Sequence, residues 1–210
     1  MTKPNTTYRK LGEYIEPIDE RNKDLSINNS LGISNDKYFQ KPRQVADKPE
    51  THKIVRNGYF AYNRATTRNG EKISIALREG PDCTVSSAYQ IFRVKDENIL
   101  DSKYLMMWFR RPEFDRYARY MSHGSAHEFF EYEQMCDVLI PYIPITEQRA
   151  VVADYEAVAR RISVAKRTIA TLQATAQTLY RKMFVDGIDK ENLPEGWRWG
   201  TLGEEFDITI

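Results

Sequence analysis

From about residue 8 to residue 143 the apolar positions come in short runs separated by turn-forming residues, as at Asn57-Gly58, Arg68-Asn69-Gly70 and Glu79-Gly80-Pro81-Asp82. Short apolar runs bounded by Gly, Pro, Asn and Asp predict strands joined by loops. Tyr59-Phe60-Ala61-Tyr62 and Lys72-Ile73-Ser74-Ile75-Ala76-Leu77 read as two strands around a polar connection, Asn63 to Gly70, and Ala88 to Val94 reads as a third. Between Leu100 and Met121 the period changes, with Leu105, Trp108, Phe109, Phe114, Tyr117 and Met121 at helical spacing and Pro112 placed as a break or a first helical residue. Two short helices are expected there. The aromatic stripe Trp108, Phe109, Phe114 and Tyr117 is assigned to a core in preference to a base-stacking platform. Val138-Leu139-Ile140-Pro141-Tyr142-Ile143-Pro144 then predicts an extended exit closed by proline.

After Pro144 a different rule takes over. Val151, Tyr155, Val158, Ile162, Ala165, Ile169, Leu172, Ala176, Leu179 and Met183 follow at alternating steps of four and three, the a/d seam of a coiled coil. No Gly or Pro interrupts the run from Thr146 to Val185, which would make a rod of about 60 Å. So thin a stripe needs another helix to cover it, although packing onto its own domain is the alternative. Gly187 is placed as a terminator, and Asp189 to Gly196 with Pro194 as a linker. The fold class expected is α+β: a mixed or antiparallel β-rich domain with short helices over residues 1–144, a long coiled-coil helix over 145–187, and a linker with the start of a second copy of the first domain over 188–210.

Charge adds a limit. The 210 residues carry 31 Lys and Arg against 30 Asp and Glu, a formal net charge of +1, which excludes a uniformly basic nucleic-acid binder and leaves only a local basic face. Cys83 and Cys136 are far apart and lack a CxxC partner, so neither a zinc site nor a disulfide framework is indicated. With no leader-like apolar N-terminus and no run of about 18 apolar residues, a soluble, cytoplasmic chain with no membrane partner is expected.

Catalytic constellations do not emerge. There is no Gly-rich phosphate loop, nucleophile elbow or HExxH. His123 and His127 stand four apart with Glu128 following, a spacing that can hold a metal, yet Gly124 breaks a helix there and no third ligand is apparent, so no metal is assigned. Read as a polar loop, His123, Gly124, Ser125 and His127 can donate to phosphates. Tyr62, Asn63, Arg64, Thr66, Thr67, Arg68 and Asn69 hold the vocabulary of base-edge readout, since arginine pairs with guanine and asparagine with adenine. A solvated hairpin loop has the same composition.

The two ends of the chain share a pattern. Tyr8-Arg9-Lys10-Leu11-Gly12-Glu13 near the start is matched by Trp199-Gly200-Thr201-Leu202-Gly203-Glu204 near the end, as if a second copy began there. With these pieces the chain resembles the specificity (S) subunit of Type I restriction-modification systems. The resemblance rests on Lys10-Leu11-Gly12-Glu13, Gly58-Tyr59-Phe60-Ala61-Tyr62-Asn63-Arg64, Val85-Ser86-Ser87-Ala88-Tyr89 and Gly124-Ser125. It continues through Ile140-Pro141-Tyr142-Ile143-Pro144-Ile145-Thr146-Glu147-Gln148, Tyr180-Arg181-Lys182-Met183-Phe184-Val185-Asp186 and Leu193-Pro194-Glu195-Gly196-Trp197-Arg198-Trp199.

The resemblance implies a non-catalytic chain that reads double-stranded DNA, with Ser86 and Ser87 joining the loop residues above. It implies partners as well: methylation subunits, a restriction subunit, and a second copy or a different half S subunit paired through the seam. No cofactor is expected on this chain; S-adenosylmethionine, ATP and Mg belong to the partner subunits. Against two recognition domains and two helical regions in a full subunit, one of each here implies a half-subunit or truncated form, which as a dimer would read an interrupted palindrome. Two other functions compete: an S-like decoy that captures methylation subunits without reading DNA, and a metal-dependent hydrolase using His123, His127 and Glu128.

Overall fold

The computed structural model describes residues 7–42, 48–65, 72–122, 128–186, 188–189 and 191–205. The chain divides into two compact units, Met1–Asp154 and Tyr155–Ile210. In the first, ten short strands run in order with three helices: β1 Thr7–Lys10, β2 Ile15–Ile18, β3 Gly32–Ile33, β4 Phe39–Gln40, β5 Lys53–Val55, β6 Phe60–Asn63, β7 Ile75–Leu77, β8 Cys83–Val85 and β9 Tyr89–Val94, then α1 Ser102–Phe109, α2 Pro112–Met121, α3 Tyr132–Cys136 and β10 Leu139–Tyr142. The centre is a four-stranded antiparallel sheet, β2-β9-β6-β7; three antiparallel pairs, β1-β10, β3-β4 and β5-β8, surround it. Antiparallel strands with short helices make this an α+β fold.

Period-two alternation decides what each face meets. On β6, Phe60 and Tyr62 point to the helical layer with Phe92, Phe109 and Phe114, whereas Ala61 points to the opposite cluster with Val55, Ala76, Cys83, Val85 and Ile91. Because both faces of β6 and β7 are covered, their residues are nearly all buried and carry no polar stripe. Phe60 and Phe92 stack at 4.9 Å with Phe109 edge-on to both, at 5.7 and 6.2 Å. The aromatic stripe is accordingly core: Phe109 and Phe114 are buried, and Trp108 and Tyr117 pack against them.

Helix ends follow local chemistry. Asp101 caps α1 by accepting from the Lys103 and Tyr104 amides, and Pro112 opens α2 at a position that needs no amide hydrogen. Gly12 sits in the helical turn Leu11–Glu13 because a Cβ there would lie 2.7 Å from Cys136 Cβ. The strand expected from Lys72 begins only at Ile75. Side chains hold the intervening stem: Ile73 N donates to Asp115 Oδ1 at 3.1 Å and Ser74 Oγ donates to Asn35 Oδ1 at 2.6 Å.

The long helix, α4, runs Ile145–Phe184 without interruption. Gln148 is wholly buried and fastens its first turn: Nε2 donates to the carbonyls of Ile99 and Ile143 at 3.0 and 2.8 Å, and Oε1 accepts from Asp101 N at 2.9 Å. In the second unit the seam residues Tyr155, Val158, Ile162, Ile169, Leu172, Leu179 and Met183 are 42–62% exposed, so among the described residues no element of that unit covers them. Past the helix, Phe184 stacks on Trp197 at 5.5 Å, and a short helix, α5, spans Leu202–Glu205. No helix is long and apolar enough to cross a membrane among the described residues.

Candidate nucleic-acid interface

β6 and β9 are antiparallel with Asn63 opposite Tyr89, so the end of one strand meets the start of the other. That register carries Asn63 and Arg64 to the same end of the central sheet as the Ser86–Ala88 turn. Ser86 closes this turn by accepting from Tyr89 N through its carbonyl at 3.1 Å and from Ala88 N through Oγ at 3.4 Å. Ser87 is exposed and Ser86 half-buried. Asn63 Oδ1 accepts from Ala65 N at 3.1 Å, which turns the chain out of the strand.

A second connection arrives at the same edge. Ala65 bridges Phe129, and Phe130 N donates to Arg64 O at 2.9 Å. Ala65 precedes residues 66–71 and Glu128 follows residues 123–127, so one ends and the other begins at neighbouring points. Thr66, Thr67, Arg68 and Asn69, and His123, Gly124, Ser125 and His127, lie outside the described residues. The arginine between these stems is half-exposed. Arg64 donates to Glu131 Oε2 at 3.1 Å, with side chains 38% and 42% exposed, and lies 5.9 Å over the Phe129 ring. Such a pair is worth at most about 1 kcal/mol and can be exchanged for another acceptor.

Tyr62 corrects the sequence expectation. Its side chain is 0% exposed, edge-on to Phe92 and Phe130, and its place on β6 turns it into the core, away from any base. Burial drives the phenol well above its ordinary pKa, and among the described residues its hydroxyl has no hydrogen-bond partner.

Sequence reasoning missed the turn that braces the other stem. Lys37 takes φ +65°, uncommon for a residue with a Cβ, and its side chain is 5% exposed. Its ammonium lies 2.7 Å from Asp115 Oδ1 and also donates to the Phe109 carbonyl. Burial pushes the ammonium below the ordinary lysine value, and Asp115 opposes that shift. Since Asp115 also holds Ile73 N, and Asp36 meets Lys72 at 3.1 Å, the turn Asn35–Lys37 grips the stem that leads to β7. The available signal was Asp115 itself, a carboxylate one position from Phe114 on the apolar side of α2.

Nearby, α2 exposes Arg116, Arg119 and Tyr120, the tyrosine at 82%. Among the described residues no group of three His, Cys, Asp or Glu side chains could hold a metal. The arrangement offers hydrogen-bond donors, a guanidinium and hydroxyls at one end of a sheet braced from beneath. This is a surface suited to binding.

No protein-family model matches the chain, and no curated protein matches it at a significant level. Solved structures do match. The HsdS subunit from Thermoanaerobacter tengcongensis superposes with a TM-score of 0.58 at 22% identity, over 96% of this chain and 54% of that one. A chain of a type I R-M system, solved for its complex assembly and conformational transition, gives 0.55 at 20% identity over 85% and 44%. The Type-I restriction-modification S subunit from M. genitalium gives 0.53 at 13% identity over 88% and 47%. The chain spans about half the length of these structures and has the fold of Type I specificity subunits.

Proposed function

We propose that this chain is a DNA-sequence-reading specificity component of a Type I restriction-modification system, itself non-catalytic, which directs partner methylation and restriction subunits to a bipartite site. The fold shared with specificity subunits carries this reading. The convergence of Asn63, Arg64, Ser86 and Ser87 on one sheet end supports it, because separated donors on a braced platform suit base edges and phosphates. Residues 1–144 serve as the recognition domain, 145–187 as the pairing helix, and 188–210 as a linker into further structure. Residues 66–69 and 123–127 complete the reading surface.

The seam of α4 pairs with a second long helix. Val151, Tyr155, Val158, Ile162, Ala165, Ile169, Leu172, Ala176, Leu179 and Met183 form its stripe, and half-exposed apolar side chains over this length need a cover. With an identical partner, two-fold symmetry gives an interrupted palindromic target; with a different one, an asymmetric target.

The test is modified-base mapping of DNA from cells that express the chain with its methylation subunit. Adenine methylation within a two-part site supports the proposal; none, with both proteins present and folded, sinks it. Arg64→Ala sharpens the result. Exchange of Glu131 for a guanine edge would give the arginine about 1–3 kcal/mol of discrimination at one base. Methylation should therefore spread to sites differing at that base, and an unchanged pattern would remove Arg64 from the reading surface.

A further inference from the structure

Beyond the seam, α4 carries a second set of exposed side chains, all of them cationic over most of its length. From Ala157 to Val185 the chain carries Arg160, Arg161, Lys166, Arg167, Arg181 and Lys182 and no acidic residue. All six are exposed. With the seam residues at a and d, Arg160, Arg167 and Arg181 occupy f, the row opposite the seam, and Ala174 is the small residue between the last two. Arg161 and Lys182 stand at g and Lys166 at e, on the two flanks of the seam and not beside the f row. Among the described residues two ion pairs touch it, both at its ends: Arg160 reaches back to Glu156 at 3.8 Å, and Arg181 reaches Asp186 at 4.0 Å.

A helix face kept soluble by charge ordinarily mixes signs at i,i+4 spacing, because like charges repel. Here six cations share 29 residues of chain with no acid among them, while the whole molecule is near neutral at +1. The positive charge is segregated onto one helix. Its spacing has a scale as well: Arg160 and Arg181 are 21 residues apart, or about 32 Å along the axis, close to the roughly 34 Å turn of B-DNA.

We infer that the f row of α4, Arg160, Arg167 and Arg181, binds the phosphate backbone of duplex DNA, without reading sequence, along about one helical turn. This deepens the specificity proposal: the helix that separates half-sites would also hold the spacer DNA between them. The f row points away from the apolar seam, so pairing through the seam leaves Arg160, Arg167 and Arg181 open. An acidic protein surface would satisfy the same charge; the duplex is favoured because the row spans a length close to one duplex turn. An anionic membrane would need the apolar face that the seam engages.

The experiment compares the full chain with R160Q/R167Q/R181Q, using a labelled random-sequence duplex about four turns long titrated at several salt concentrations. Loss of three phosphate contacts should lower the slope of log affinity against log salt by about three. Affinity should fall on the order of tenfold or more at about 0.1 M salt, with helicity and sedimentation unchanged because all three side chains are exposed. A charge-matched control, K23Q/K41Q/K48Q in the first unit, should leave the slope nearly intact. An unchanged slope in the helix variant overturns the inference, and so does wild-type binding to anionic vesicles but not to duplex. A variant that keeps the slope but no longer joins methylation subunits assigns the face to protein and overturns it as well. The two proposals fail separately: a reduced slope without sequence discrimination by the assembled wild type leaves the helix inference standing and the specificity reading fallen. Discrimination with an unchanged slope does the reverse.

Discussion

The first unit and the long helix use the same apolar residue types and treat them oppositely. In the first, Phe60, Ile75, Ile91, Phe92 and Phe109 are 0% exposed, enclosed by strands and helices of the same unit. In the second, Ile162, Ile169, Leu172 and Leu179 are 52–62% exposed along one stripe. Charges divide in parallel. Arg56 meets Glu20 and Asp82, Arg93 meets Glu16, and Lys37 meets Asp115 within the first unit, whereas the helix carries a row of cations with no acid from Ala157 to Val185. The difference teaches that the first unit buries its apolar residues and pairs many of its charges within itself, whereas the helix leaves its apolar stripe and its cations exposed. On the proposals above, the apolar stripe takes a second helix and the f row takes an anion.

The comparison breaks most readily at the seam. Ile162→Asp with Leu172→Asp removes two large apolar side chains from each paired helix, at about 1.5–3 kcal/mol apiece. Pairing should weaken on the order of 6 kcal/mol or more. Sedimentation equilibrium should then find a chain without its partner helix while the first unit unfolds at the wild-type midpoint. A variant that stays paired would show that the stripe is not the contact.

Phe60→Ala does the converse. It opens a cavity beneath Phe92 and Phe109 and should cost about 3–5 kcal/mol in urea unfolding of the first unit, with helix pairing retained. If both transitions shifted together, the two regions would not be separable.

A smaller effect sharpens the contrast through pH. Burial pushes the Cys83 thiol up to about 11 from 9.0. In the unfolded chain it ionises first, so its contribution is intact below about pH 9 and is lost as pH climbs through the folded value near 11. Between about pH 8 and pH 10.5 this amounts to about 2 kcal/mol. Cys83→Ala should reduce the alkaline loss of first-unit stability by that amount and leave helix pairing untouched; an equal loss in both proteins would count against the assignment.

Much of this was legible along the chain. Turn residues and short runs marked the strands, Pro112 separated α1 from α2, and the heptad register located α4, because these signals are local: a proline lacks its amide wherever the chain goes, and a stripe at fixed spacing shares one helix face. The candidate interface was legible only as a vocabulary. Tyr62 looks like its neighbours Asn63 and Arg64 in sequence, but alternation on β6 sends it into the core. Lys37, with no motif around it, became a brace because a distant helix supplied Asp115.

By itself, then, the sequence determined the α+β class, the change of rule after Pro144 and the two-sided chemistry of the helix, since each depends on residue spacing within one element. Tertiary structure alone decided that Asn63, Arg64 and the Ser86–Ala88 turn share one end of a sheet with Phe129, that Gln148 latches the helix's first turn, and that the seam is left uncovered within its own unit. Those depend on register and closure among segments far apart in the chain, where a one-residue shift in pairing would turn every side chain to the other face.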